Sequence, residues 1–143
     1  MSLANVLLVD DESEFVETFS ERLTMRNLEI LKAFSGEEAL QVLEAHQDIE
    51  IVILDVKMPG MDGIETLAEI KKRYPLIEVI MLSGHADVES AIEGMKQGAF
   101  DYLMKPCDMD QIIAKVTEAA ARKRQHEEKI IQARIKEITS RHA

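Results

Sequence analysis

The chain has 143 residues, 46% of them hydrophobic and 31% charged, with a formal net charge of −10. These totals describe one globular domain with a real core and a short appendage; they exclude disorder, and the acidic balance argues against general binding to nucleic-acid phosphates. The single cysteine, Cys107, suits a reducing compartment, no apolar run approaches the roughly 20 residues of a membrane span, and no basic segment precedes the first apolar one, so a cytoplasmic protein is expected.

In chain order, Asn5 to Val9 is an apolar run that reads as a buried strand and ends in Asp10-Asp11-Glu12. Phe15, Phe19 and Leu23 then recur at helical spacing to about Met25, with Asn27 marking the end. Leu28 to Phe34 carries Glu29 and Lys32 among its apolar residues, as an edge strand would. Ser35 opens a second helix with Glu37 and Glu38 in its first turn, where the helix dipole favours acids. Ile51-Val52-Ile53-Leu54 is apolar without a break, the pattern of a strand buried on both faces of a parallel sheet, and it runs straight into Asp55. A third helix follows on Ile64, Leu67 and Ala68, ending near Tyr74-Pro75. Ile77 to Leu82 is the next buried strand, leading into Ser83-Gly84-His85. Asp87 is a cap for a helix bearing Val88, Ala91, Ile92 and Met95, closed by Gly98. Phe100 to Met104 is the fifth strand, followed by Lys105-Pro106. The last helix opens near Asp108, with Ile112, Ile113, Val116, Ala119 and Ala120 inward.

Five strands alternating with five helices predict an α/β fold, a (βα)5 doubly wound parallel sheet of order 2-1-3-4-5. In that order the first and third strands are neighbours, so Asp10, Asp11 and Asp55 converge at the carboxyl edge. Three carboxylates in one cleft repel one another unless a cation lies among them. Oxygen-only ligands suit Mg²⁺, with Mn²⁺ able to take the same place. Ser83 and Lys105 reach the same edge from the fourth and fifth strands. A hydroxyl donor, an ammonium and a divalent cation around one carboxylate are the parts needed to carry a phosphoryl group on it. Taken singly, each residue also has a plainer reading, as helix cap, turn residue or surface lysine. Their coincidence at the ends of four strands favours the site.

Four blocks of the chain, in order and at matching spacing, resemble the receiver domain of bacterial two-component response regulators. They are Leu7-Leu8-Val9-Asp10-Asp11-Glu12, Leu54 to Gly63, Met81-Leu82-Ser83-Gly84-His85 and Gly98 to Pro106. The resemblance covers residues 4 to about 122 and implies a flavodoxin-like fold. It implies that Asp55 is the phosphoacceptor, taking its phosphoryl group from a phosphohistidine on a sensor histidine kinase or phosphotransfer protein, or from a small acyl phosphate. Asp11, Asp55 and the backbone carbonyl of Lys57 would hold Mg²⁺, with Asp10 helping through water. Ser83 and Lys105 would bind phosphoryl oxygens, and Ser83 would form a switch pair with Tyr102. A cis Lys105-Pro106 peptide would aim Lys105, and Gly84 leaves room beside the phosphoryl group. Lys57 and His85 occupy the two positions that tune phosphoryl lifetime in this family; both are bulky here, which predicts a slow loss. The face made by the fourth helix, fifth strand and fifth helix is the usual readout surface.

Two rival chemistries fit less well. A haloacid-dehalogenase-like phosphatase expects a second aspartate two residues after the nucleophile, where this chain has Lys57. A flavodoxin needs a hydroxyl- and glycine-rich phosphate loop after the first strand, where Asp10-Asp11-Glu12 would repel the flavin phosphate.

Residues 122–143 differ from the rest. They hold seven Lys/Arg against three acids, a net of +4, which leaves −14 for residues 1–121. The division expected is a receiver at 1–121 and a basic helical extension at 122–143. From Arg122 to Glu128 the helix loses its apolar face, so this turn is not expected to pack on the sheet as the preceding ones do. Ile130, Ile131, Ile135 and Ile138 then restore a stripe at helical spacing, suited to a second copy or to an output module. Direct nucleic-acid contact by this helix is not expected, since it carries no helix-turn-helix. A stand-alone receiver and the receiver of a larger transcriptional regulator are both compatible with the sequence.

Overall fold

The computed structural model describes residues 2–84 and 88–141. Its elements are β1 (Asn5–Val9), α1 (Ser13–Thr24), β2 (Glu29–Ala33), α2 (Gly36–Ala45), β3 (Ile51–Leu54), α3 (Gly63–Arg73), β4 (Glu78–Ser83), α4 (Val88–Lys96), β5 (Asp101–Met104) and α5 (Met109–Arg141). The five strands form one parallel sheet in the order β2-β1-β3-β4-β5. Every residue of β3 and β4 is buried, whereas the edge strand β2 is largely exposed, as the apolar runs and the mixed run anticipate.

Alternation along the strands divides the core between the two faces. Val6, Leu8, Ile51, Ile53, Ile80 and Leu82 point to α1 and α5, meeting Val16, Leu23, Ile112 and Val116. Leu7, Val9, Val52, Leu54, Val79 and Met81 point to the other side, meeting Leu40, Leu43, Leu67 and Ile70. Two helix starts are capped as their sequences suggest: the Ser35 side chain accepts from Glu38 N–H, and the Asp62 side chain from Glu65 N–H. Asn27 (φ +67°) and Gly98 (φ +100°) sit in the left-handed region just after α1 and α4 and end them.

On α4, Val88, Ile92 and Met95, which share a face by helical spacing, stand outward: Val88 is 74% exposed and the others about half. The helix buries Gly94, where an added Cβ would stand at ordinary contact distance from Met81 (3.6 Å) and Ile64 (3.7 Å). The proposed cap Asp87 lies outside the described residues.

The charged turn of α5 is not packed as the preceding turns are, and meets the body through ion pairs instead of apolar contact. Arg124 donates to both Glu50 carboxylate oxygens at 2.9 and 3.0 Å and to the Leu3 carbonyl at 2.9 Å. Arg122 pairs with the buried Glu78 at 3.2 Å and lies over the Phe100 ring. Burial pushes the Glu50 carboxyl up, but the Arg124 hydrogen bond, the Asn5 amide and the charges of Arg124 and Lys123 outweigh it and hold the group below the usual carboxylate range. Glu50 and Glu78 open β3 and β4, so α5 is fastened to the amino edge of the sheet. From there the helix continues unbroken to Arg141, with Ile130, Ile131, Ile135 and Ile138 exposed. Among the described residues, no helix is long and apolar enough to cross a membrane.

Candidate functional site

The register of the sheet assembles the carboxyl edge. Val9 pairs with Leu54, so Asp10 and Asp55 leave adjacent strands at one level. The Asp55 N–H donates to the Val9 carbonyl at 3.0 Å, which ties the two chain segments together. Ser83 pairs with Met104, and the Lys105 N–H donates to the Ser83 carbonyl at 2.9 Å, so these two residues are placed in the same way one strand further on. The sequence-predicted residues Asp10, Asp11, Asp55, Ser83 and Lys105 therefore lie on four strand ends facing one cleft. Asp10, Asp55 and Ser83 are buried and Asp11 is exposed at the rim.

Carboxylate oxygens of Asp10, Asp11 and Asp55 all lie within 4.8 Å of one another. Lys105 crosses the cleft toward them, its Nζ donating to Asp10 Oδ2 at 2.6 Å, with Glu12 at 3.7 Å and Asp55 Oδ1 at 4.0 Å. Asp10 Oδ1 accepts from the Glu12 N–H at 3.0 Å. Asp55 is 4% exposed, and its Oδ1 has no hydrogen-bond partner among the described residues. Burial, and then the charge of Asp10, push the Asp55 carboxyl up to about 6; Lys105 and the Val56 backbone act against that rise. Burial would lower the Lys105 ammonium, but the hydrogen bond and charge of Asp10, with Asp55 and Glu12, hold it above its ordinary value.

The donor set fits a hard cation. Three carboxylates supply oxygen alone, the buried Asp55 oxygen lacks a partner among the described residues, and a divalent charge there would reverse the repulsion that raises Asp55.

Around this centre, the Lys105-Pro106 peptide is cis. Lys57 is exposed in the loop after β3, Tyr102 is half-buried on β5, and His85 lies outside the described residues. Among the described residues, a Cβ at the exposed Gly84 would come within 4.0 Å of Lys105 Cδ.

Two residues of the site are not foreseen from the sequence. Gly63, which looks like turn punctuation, packs on the backbone of Asp55 itself: an added Cβ would stand 2.1 Å from the Asp55 carbonyl oxygen and 2.7 Å from Val56 Cα. Its N–H donates to the Val56 carbonyl at 2.7 Å. The Asp62-Gly63 pair after an acidic strand end is the signal that could have found it. The other is Phe15, whose ring centroid lies 4.0 Å from Lys105 Nζ; a helical apolar spacing reveals no such contact.

A doubly wound parallel sheet with an acidic triad, a hydroxyl and a lysine at its carboxyl switch point is the architecture of a signalling receiver. The model of the response regulator receiver domain matches residues 6–117, and the chain belongs to that family. It is 38% identical over 112 residues to the DNA-binding transcriptional regulator NtrC of Klebsiella pneumoniae, an alignment covering 78% of this chain and 24% of that protein. It is 40% identical over 117 residues to the response regulator protein FleR of Pseudomonas aeruginosa, covering 82% and 24%. The chain thus spans about a quarter of the length of these relatives. Among solved structures, a receiver domain protein from Clostridium thermocellum superposes with a TM-score of 0.82 at 38% identity, covering 85% of this chain and 98% of that one. NtrX from Brucella abortus gives 0.81 at 32%, covering 90% and 29%.

Proposed function

We propose that this receiver accepts a phosphoryl group on Asp55. The observation that carries the reading is the buried Asp55 oxygen, without a hydrogen-bond partner among the described residues, 4.0 Å from Lys105 Nζ and grouped with Asp10 and Asp11. In the transfer, an Asp55 carboxylate oxygen forms a bond to the donor's phosphorus. The donor's P–N bond (phosphohistidine) or P–O bond (acyl phosphate) breaks, its electron pair leaves with the donor, and an acyl phosphate remains on Asp55. Lys105 and the Ser83 hydroxyl are placed to meet the oxygens of the incoming group, the first by charge and the second by donating a hydrogen bond. Asp11, Asp55 and the Lys57 carbonyl would hold Mg²⁺, with Asp10 beside them. When bound, the cation offsets negative charge on the transferring group. Tyr102 partners Ser83 in the switch.

The donor is a sensor histidine kinase or phosphotransfer protein. The output surface is the face of α4, β5 and α5, where Val88, Ile92, Met95 and Met104 stand exposed. It serves a downstream protein, an output domain or a second copy. Residues 1–121 are the receiver and 122–143 the extension, whose isoleucine stripe is a further surface for self-association.

Incubation with acetyl phosphate and Mg²⁺, followed by intact mass measurement, tests the reading. One added phosphoryl group is expected, lost in Asp55→Asn and in the presence of a chelator. No gain with acetyl phosphate, phosphoramidate or a phosphohistidine donor overturns it. Lys57 is exposed in the loop two residues after Asp55, and a bulky side chain at that position would hinder the attacking water. Lys57→Ala is therefore expected to shorten the lifetime of the phosphorylated form, measured as phosphate release after donor removal.

A further inference from the structure

Lys105 is gripped by more than carboxylates. Its Nζ stands 4.0 Å from the centroid of the Phe15 ring, on the first turn of α1. That ring is stacked on Phe19, with centroids 5.0 Å apart and planes 19° from parallel, and Phe19 is itself part of the core beneath the sheet. The ring is thus a fixed wall on one side of the ammonium, while Asp10, Glu12 and Asp55 lie on the others.

The contact answers a real difficulty. A lysine is a strongly hydrated charge on a flexible stem, free to follow the nearest accessible anion. Here that anion is Glu12, 3.7 Å away with a side chain 68% exposed. An ammonium drawn to Glu12 would sit in water at the rim instead of beside Asp55. The negative face of an aromatic ring attracts the cation and also keeps water from that side of it. A leucine would fill similar space without the attraction.

We infer that Phe15 is a positioning residue for Lys105, holding its ammonium over the Asp10–Asp55 side of the cleft so that a phosphoryl group arriving on Asp55 meets a cation already aimed and partly desolvated. The inference rests on the reading of Asp55 as phosphoacceptor. Phe15 acts through Lys105, over which its ring lies, and Phe15→Leu leaves the metal ligands as they are.

The test is titration of the full chain with Mg²⁺ alone, and then with beryllofluoride at saturating Mg²⁺ as a stand-in for the phosphoryl group, both followed by backbone amide resonances. Phe15→Leu is expected to keep Mg²⁺ affinity within about twofold and to lose about three- to ten-fold in beryllofluoride affinity, the range such a contact spans. The rate of phosphorylation by acetyl phosphate should fall to match, and Phe15→Tyr, which keeps the ring face, should restore both. In a Lys105→Gln background, Phe15→Leu should have no further effect. Equal beryllofluoride affinity in wild type and Phe15→Leu, an equal loss in the Lys105→Gln background, or a parallel fall in Mg²⁺ affinity would each overturn the positioning role. Failure of the wild type itself to bind beryllofluoride would instead overturn the phosphoacceptor reading beneath it.

Discussion

Asp55 is a carboxylate kept where a carboxylate is uncomfortable. Its folded pKa is about 6, above the ordinary value, because of burial and then Asp10. The sign of the linkage follows: the folded state binds this proton more tightly than the unfolded chain, so the contribution to stability is greatest below about pH 4 and is lost as pH rises to about 6. Raising a carboxyl from about 4 to about 6 makes that loss of order 3 kcal/mol. In chelator-treated protein, Asp55→Asn should therefore melt higher than wild type at pH 7.5, and the gap should close toward pH 4. Mg²⁺ should raise the wild-type melting temperature and do much less for the variant. A variant that melts no higher at pH 7.5 would contradict the cost ascribed to burying Asp55 beside Asp10. Strain of this kind is common where a site awaits a ligand.

At the scale of the elements, Asp55 is held by a contact between the end of β3 and α3. Gly63 opens α3 directly against the Asp55 and Val56 backbone, so Gly63→Ala forces either the helix or the loop after β3 to move. A cost of at least about 2 kcal/mol is expected from overpacking at a site with backbone on both sides, together with slower phosphorylation. Denaturant unfolding would measure the first and intact mass against time the second.

The sequence made much of this level legible. Unbroken apolar runs mark the central strands, mixed ones mark the edge, the βα alternation gives the parallel class, and the size of the chain suits the order 2-1-3-4-5 that the sheet has. Asp10, Asp55, Ser83 and Lys105 were readable because each is the first polar residue after an apolar strand run. What stayed hidden was direction and steric detail. The α4 period shows that Val88, Ile92 and Met95 share a face, but a buried Gly94 shows that the opposite side packs. A polar turn at Arg122–Arg124 looks unpacked until Glu50 and Glu78 are found beneath it. Phe15 looks like any core aromatic until Lys105, far along the chain, lies over it.

For the molecule as a whole, the opposed charges of body and extension and the four exposed isoleucines make association testable. Sedimentation of the full chain over a range of concentrations, beside a version ending at Ala121, is expected to show a heavier species only for the full chain. Raised salt should weaken it if charge contributes. Identical monomeric masses would remove the extension as a self-association surface and leave the α4–β5–α5 face.

Asp55 and the Arg124 clamp sit at opposite ends of one strand, Asp55 following Leu54 and Glu50 preceding Ile51. Four residues of fully buried β3 separate them, and beyond the clamp 17 further residues of α5 run to Arg141. At 1.5 Å per residue that projection is a lever arm of about 25 Å, so a tilt of about 5° at the fulcrum carries its tip about 2 Å. A shift at the amino edge too small to repack the core is thereby magnified at the isoleucine stripe, without any hinge between.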